Sequence, residues 1–298
     1  MLLSFRRVCL STLLLLIGGR IMGESSEDVL GGARALFDER RYAEAETAFA
    51  DLHTSYPEHP EILMYLGKLA AKRQERELAV EYLSRAVKLT PEDAQIQFEY
   101  AAACGFYAGS LGTTLKALTY ARRASTSMRE AIELEPDNLS FRQGYIDFCM
   151  EAPSIAGGGH RRAHEQAAVI AERDPVKGAF ARATIYRAEE NHTEAMNVLD
   201  DLIALAPDNY FALFSFGRCA AESGERLEEG LVHLRKCLTL PAPDQAPPPA
   251  HAWWNIATIQ KQLGNRPEAI IALQEATLLA PHDNRIAEDL QAYLADEA

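Results

Sequence analysis

Alternating runs of valine, isoleucine and threonine are missing from this 298-residue chain. Without them no segment reads as a half-buried strand, and a sheet-based fold is excluded. Aromatic residues are also scarce, at 8 % against 48 % hydrophobic overall. The apolar content is instead Ala and Leu, the composition of closely packed helices, so the expected fold class is all-α. Basic residues are outnumbered, 30 against 43 acidic, for a net charge of −13. Such a surface repels phosphate backbones and anionic membranes, so nucleic acid is not an expected partner. No CxxC, no Ser-His-Asp order and no spaced carboxylate pair stands out. No catalytic centre and no cofactor is therefore expected.

Residues 1–23 read as a signal peptide: Arg6 and Arg7, then the apolar run 8–19, then Arg20. That run falls short of the roughly 20 residues that span a bilayer. A cut after Gly23 would place Ile21 and Gly23 at the recognition positions; a short uncleaved anchor is the alternative. Cleavage would remove three arginines and no acid, leaving 27 basic and 43 acidic residues and a charge near −16. Export to a bacterial periplasm or beyond is expected, with no stable membrane insertion after cleavage. Four cysteines would remain, Cys104, Cys149, Cys219 and Cys237, each on an apolar helical position. An even number in an exported protein invites a disulfide reading; the alternative, favoured by those positions, is free thiols packed as small hydrophobes.

The remaining chain is repetitive. Residues 250–281 read as two short amphipathic helices joined at Leu263-Gly264-Asn265-Arg266-Pro267. Small residues, Ala257 and Ala269, sit where the helices must touch. Trp253, Ile256 and Leu273 fill the space around them, and Pro281 closes the unit. Residues 60–91 repeat this plan with Leu63, Leu66, Gly67 and Ala70, then Ala79, Leu83, Ala86 and Pro91. Pro57 and Pro91 are 34 residues apart. A helical hairpin recurring at this period resembles the tetratricopeptide repeat family.

The resemblance implies an α-solenoid, a right-handed superhelix of about seven helix-turn-helix repeats over residues 24–298. The copies lie near 26–59, 60–93, 94–138, 139–175, 176–209, 210–243 and 250–283, with a capping helix at 284–298 built on Ile286, Leu290 and Tyr293. Repeat three is lengthened at Tyr107–Thr114, with Thr113 or Thr114 as N-cap of its second helix. Repeat four is lengthened at Glu151–Arg162, which carries Gly157, Gly158 and Gly159. The five prolines of residues 241–249 read as an elongated turn between repeats.

The resemblance also implies a non-enzymatic scaffold that binds a protein or peptide segment on its concave face. In the family that face is lined by positions 2, 5, 9 and 12 of each first helix. Here these give Met64, Phe98, Phe180, Phe214 and Trp254 as an apolar stripe, flanked by Lys68, Arg187, Arg218 and Lys261. The plain alternative is that the stripe only packs against neighbouring helices. The Lys and Asn of the family's carboxylate clamp are not supplied at Met64 and Lys68 or at Phe180 and Thr184, so that function is not carried over. A competing reading is a metal-dependent enzyme or accessory sited at the two lengthened turns. His160 and His164, four apart on one helix, would be its ligands, although no third ligand is evident. The three glycines before them could form an anion nest. A third reading is a structural spacer in an envelope assembly. Asn138 and Asn191 begin glycosylation sequons, at the level expected by chance.

Overall fold

The computed structural model describes residues 26–244 and 246–295, so the expected leader at 1–23 lies outside the described residues. The described residues form fifteen α-helices and one 3-10 turn, with no strand. The architecture is an all-α helical-repeat solenoid, divided into two compact units that meet between Asp137 and Asn138.

The first unit holds three helix pairs: α1 (Ser26–Asp38) with α2 (Tyr42–Ser55), α3 (Pro60–Lys72) with α4 (Arg76–Leu89), and α5 (Ala94–Ser110) with α6 (Leu115–Leu134). The second unit holds four: α7 (Leu139–Glu151) with α8 (His160–Arg173), α9 (Pro175–Ala188) with α10 (His192–Leu205), α11 (Tyr210–Ser223) with α12 (Leu227–Thr239), and α13 (Pro249–Gln262) with α14 (Arg266–Leu279). The last helix, α15 (Asn284–Ala295), closes it.

The small residues of the period are where two helices cross. A Cβ on Gly67 would lie 2.6 Å from Leu83 Cγ, and one on Gly217 would lie 2.2 Å from Leu234 Cγ. Neither pair could approach as it does with a side chain there. Leu63, Ala70, Leu83 and Ala86 are each 1 % exposed or less, as are Ala257, Ala269, Leu273 and Ala276. Helix starts are fixed locally. Asp93, Asp174 and Asn209 accept hydrogen bonds from the amides of Ile96, Lys177 and Ala212 at 2.9, 3.0 and 3.1 Å. Asn138 and Asn191 cap α7 and α10 in the same way, which gives both asparagines a structural job.

Four regular pairs make the same turn between their helices, with one left-handed residue at the fifteenth position of the copy: Arg40, Gln74, Glu190 and Gly264, with φ from 58° to 77°. The amide of the next residue returns to a carbonyl five back, as in Glu75 N–H to Ala70 O at 3.0 Å and Asn265 N–H to Gln260 O at 2.9 Å. This satisfies the end of the first helix. The α11–α12 turn is one residue longer and holds two left-handed residues, Gly224 and Arg226, and there the Glu225 amide donates to Ser223 Oγ at 3.1 Å.

The two lengthened repeats abandon that turn. In the third, α5 continues through Tyr107 to Ser110, where the sequence predicts a break; Tyr107 is buried, and that burial keeps the backbone helical. Only residues 111–114 turn, and Thr114 Oγ1 is the cap, accepting from Ala117 N–H at 3.0 Å. In the fourth, α7 runs to Glu151 and α8 already begins at His160, so the irregular stretch is shorter than 151–162. It contains the 3-10 turn Ser154–Ala156. The proline stretch does act as a turn between repeats. Tyr210 donates from its hydroxyl to Pro247 O at 2.9 Å, and α13 then packs on α11 and α12.

Cys104, Cys149, Cys219 and Cys237 are buried and unpaired, as the sequence predicts. Burial pushes each of these thiols up to about 11. Among the described residues no helix is long and apolar enough to cross a membrane.

Candidate functional site

The stripe expected on the first helices does not present a uniform surface. Met64 on α3 and Phe214 on α11 are buried, 8 % and 4 % exposed, so neither offers a side chain to a partner. At those two places the fifth position packs inside the helix stack. Phe98, Phe180 and Trp254 are partly buried.

In the first unit, Lys68 Nζ pairs with Glu99 Oε1 at 2.7 Å, and lies 5.3 Å from the Phe37 ring centroid and 5.4 Å from that of Tyr65. Arg34 likewise donates to Glu61 at 2.8 Å. Beside Lys68 runs a groove of about 620 Å³, whose walls include Phe37, Lys72, Arg76 and Phe106.

In the second unit, Phe180 on α9 meets Phe211 on α11 edge to face, with centroids 6.4 Å apart. Along the same seam Arg187 and Arg218 share one carboxylate. Glu222 Oε1 is 3.5 Å from Arg187 Nη1 and 3.9 Å from Arg218 Nε. Burial, and then the neighbouring Arg187 charge, hold the Arg218 guanidinium below its ordinary value. Two cations therefore face a single anion here.

Trp254 and Lys261 are brought together, but by the chain itself. Trp254 Nε1 donates to Asp289 Oδ2 at 2.8 Å, and Lys261 Nζ to Asp289 Oδ1 at 2.6 Å. Lys261 also lies 4.6 Å from the Tyr293 ring centroid. Asp289 and Tyr293 belong to α15, so the capping helix already occupies these two predicted binding residues. Trp253 is partly buried like Trp254, and both pack against the small cluster around Ile286.

The histidine pair does gain a third side chain that the sequence did not disclose. Glu189, at the end of α9, lies between the two rings. Its Oε1 is 3.1 Å from His160 Nδ1, and both its oxygens are 3.1 Å from His164 Nε2. These contacts tie the start of α8 to the end of α9. Among the described residues no group of three or more His, Cys, Asp or Glu side chains is disposed to hold a metal ion. The glycine amides are not an anion nest either. Those of Gly157, Gly158 and Gly159 donate to Ser154 O, Pro153 O and Cys149 O at 3.1, 3.2 and 2.8 Å. A Cβ on Gly158 would lie 2.1 Å from Ala152 O, so the turn is closed by glycine packing.

Tetratricopeptide repeat family models match residues 30–104 and 250–283. No curated protein matches the sequence significantly. Among solved structures the chain is similar to a tetratricopeptide repeat protein from Parabacteroides merdae, at 14 % identity and a TM-score of 0.64, over 91 % of this chain and 100 % of that one. It is similar also to the C-terminal part of a repeat protein from Cytophaga hutchinsonii, at 15 % identity and a TM-score of 0.53, over 87 % and 98 %. PilF from Pseudomonas aeruginosa matches at 12 % identity and a TM-score of 0.50, over 80 % and 97 %. At these identities the likeness establishes the fold, and the repeats themselves carry the assignment. The chain carries tetratricopeptide repeats at residues 30–104 and 250–283, within a helical-repeat fold similar to that of tetratricopeptide repeat proteins.

Proposed function

We propose that the protein is a non-catalytic scaffold of the bacterial cell envelope that captures a protein or peptide segment along its first helices. The observation that supports this most directly is the seam between α9 and α11. There Arg187 and Arg218 share the single carboxylate of Glu222, on a chain whose net charge is −13. Phe180 and Phe211 lie on the same seam and add apolar contact area. Cations beside half-exposed aromatics suit an extended segment or an amphipathic helix. The envelope location is supported by the run from Arg6 to Arg20.

The test is affinity capture from the envelope fraction with the parent protein and with an Arg187→Ala, Arg218→Ala double variant. A partner recovered by the parent and lost with the double variant, with helicity unchanged, is the expected result. Equal recovery by both would remove the seam from the interface and favour a spacer. Recovery of the protein itself only from the cytosol would overturn the envelope location.

A further inference from the structure

Four lysines of the described residues lie over aromatic rings, and three of them also hold a carboxylate. Lys68 lies over Phe37 and Tyr65 and pairs with Glu99. Lys116 is 5.0 Å from the Tyr107 centroid and 3.1 Å from Glu77 Oε1. Lys261 lies over Tyr293 and pairs with Asp289. In each, an ammonium sits between a ring face and an anion, which together restrain a flexible side chain.

Lys72 is the fourth. Its Nζ is 4.4 Å from the Tyr42 ring centroid and 5.7 Å from that of Phe37. No acidic side chain of the described residues pairs with it, although acids outnumber bases throughout the chain. The rings place the ammonium, and its charge is free to meet an anion from outside the chain. Arg76, the first residue of α4, is exposed and equally without an acidic partner. Both line the groove of about 620 Å³ in the first unit, together with Phe106, which is 69 % exposed. Glu99 also lines it, but Lys68 engages that carboxylate. The groove thus offers two uncompensated cations and two phenyl rings, of which Phe106 is the exposed one.

We propose that this groove binds an acidic peptide segment. One carboxylate of the partner completes the arrangement at Lys72 and Tyr42, a second charge faces Arg76, and an adjacent apolar side chain covers Phe106. The same cations would attract a phosphate, but a polyphosphate backbone, with a charge at every residue, is repelled by the surrounding net negative charge more strongly than a peptide carrying two carboxylates. The proposal rests on the reading of the protein as a peptide-capturing scaffold, and adds a second site and the partner's chemistry.

The experiment is a selection of random dodecapeptides on the full-length protein, followed by affinity measurement on the enriched sequences. Enrichment of Asp or Glu beside Phe, Leu or Trp is expected. Binding of those peptides should weaken about fivefold to tenfold in Lys72→Ala, be abolished in a Lys72→Glu, Arg76→Glu double variant, and be retained in Lys72→Arg. It should also weaken in Phe106→Ala and with added salt. Lys72, Arg76 and Phe106 are exposed, so thermal melts of the variants should match the parent. Enriched peptides without acids, or indifference to the double charge reversal, would overturn the inference and leave the scaffold reading standing. Tighter binding of oligothymidine than of any peptide, dependent on Lys72, would overturn it in favour of phosphate. No enrichment at all would count against peptide capture itself.

Discussion

Replacing Asp289 with alanine removes the anion that joins the capping helix to α13. Two bonds go at once: the one from Lys261 Nζ at 2.6 Å and the one from Trp254 Nε1 at 2.8 Å. The Lys261 and Asp289 side chains are 21 % and 31 % exposed, so solvent screens the pair only in part. About 1 kcal/mol for the ion pair and about 1 kcal/mol for the indole bond give a loss of about 2 kcal/mol. That corresponds to roughly a thirtyfold rise in the undocked population of α15. Ile286 is the fully buried side chain of α15, and Leu290, Tyr293 and the Arg266 bond to Tyr293 O at 2.8 Å remain, so the helix is loosened and not released. The assay is built into the chain, because its two tryptophans, Trp253 and Trp254, both pack against the cluster that includes Ile286 of this helix, and Trp254 bonds Asp289. In a urea titration the emission of Asp289→Ala should red-shift before far-UV ellipticity is lost, while the parent keeps the two midpoints closer. Asp289→Asn, which keeps an acceptor for the indole, should show about half the effect. An emission curve for Asp289→Ala that overlays the parent's would refute the clasp and leave Ile286 as the anchor.

Three further outcomes follow from described geometry. Gln74 and Glu190 hold φ of 63° and 58°, so Gln74→Gly and Glu190→Gly should each raise the unfolding free energy read by chemical denaturation, by about 0.5–1 kcal/mol; Gly264→Ala, at φ 77°, should lower it by about 1 kcal/mol. With Cys104, Cys149, Cys219 and Cys237 pushed up to about 11, a thiol reagent at pH 8 should label none of them in the native protein and all four in denaturant. The Arg285 guanidinium holds the Asp283 carboxyl at about 2. Its folded value lies below the ordinary carboxylate range, so its contribution is present above about pH 4 and lost as pH falls through 2. Tryptophan emission should report that loss, and Asp283→Asn should flatten it.

The hairpins were legible because their period is written in side-chain volume. Gly67 and Ala257 mark crossings that only small residues allow, and Leu83 and Leu273 mark the side chains that fill them. The capping helix was legible from Ile286, Leu290 and Tyr293 for the same reason. What lay hidden were the contacts made between copies. Nothing local to α8 says that Glu189, twenty-five residues beyond His164, returns between the two imidazoles. Nothing local to Trp254 says that Asp289 comes back to it. Position in a repeat was likewise a poor guide to exposure: the fifth position is buried at Met64 and Phe214 and half open at Phe180, because the approach of the next helix differs from copy to copy. The left-handed residue at position fifteen was missed for another reason. Glycine marks it at Gly224 and Gly264, but Arg40, Gln74 and Glu190 adopt it without any sign in their side chains.

Within each unit the substantial helix contacts join elements one or two apart in the chain. Under tension, the described helices of a unit have no substantial tie between distant elements that must break before anything else can move. A pull applied at residue 295 loads the contacts of α15 first, the Asp289 clasp among them. Once they part, length is released in discrete steps, one helix pair at a time. Paying out residues 250–283 as extended chain adds roughly 110–120 Å. Force would therefore appear as a sawtooth whose first tooth is set by the contacts of a single helix.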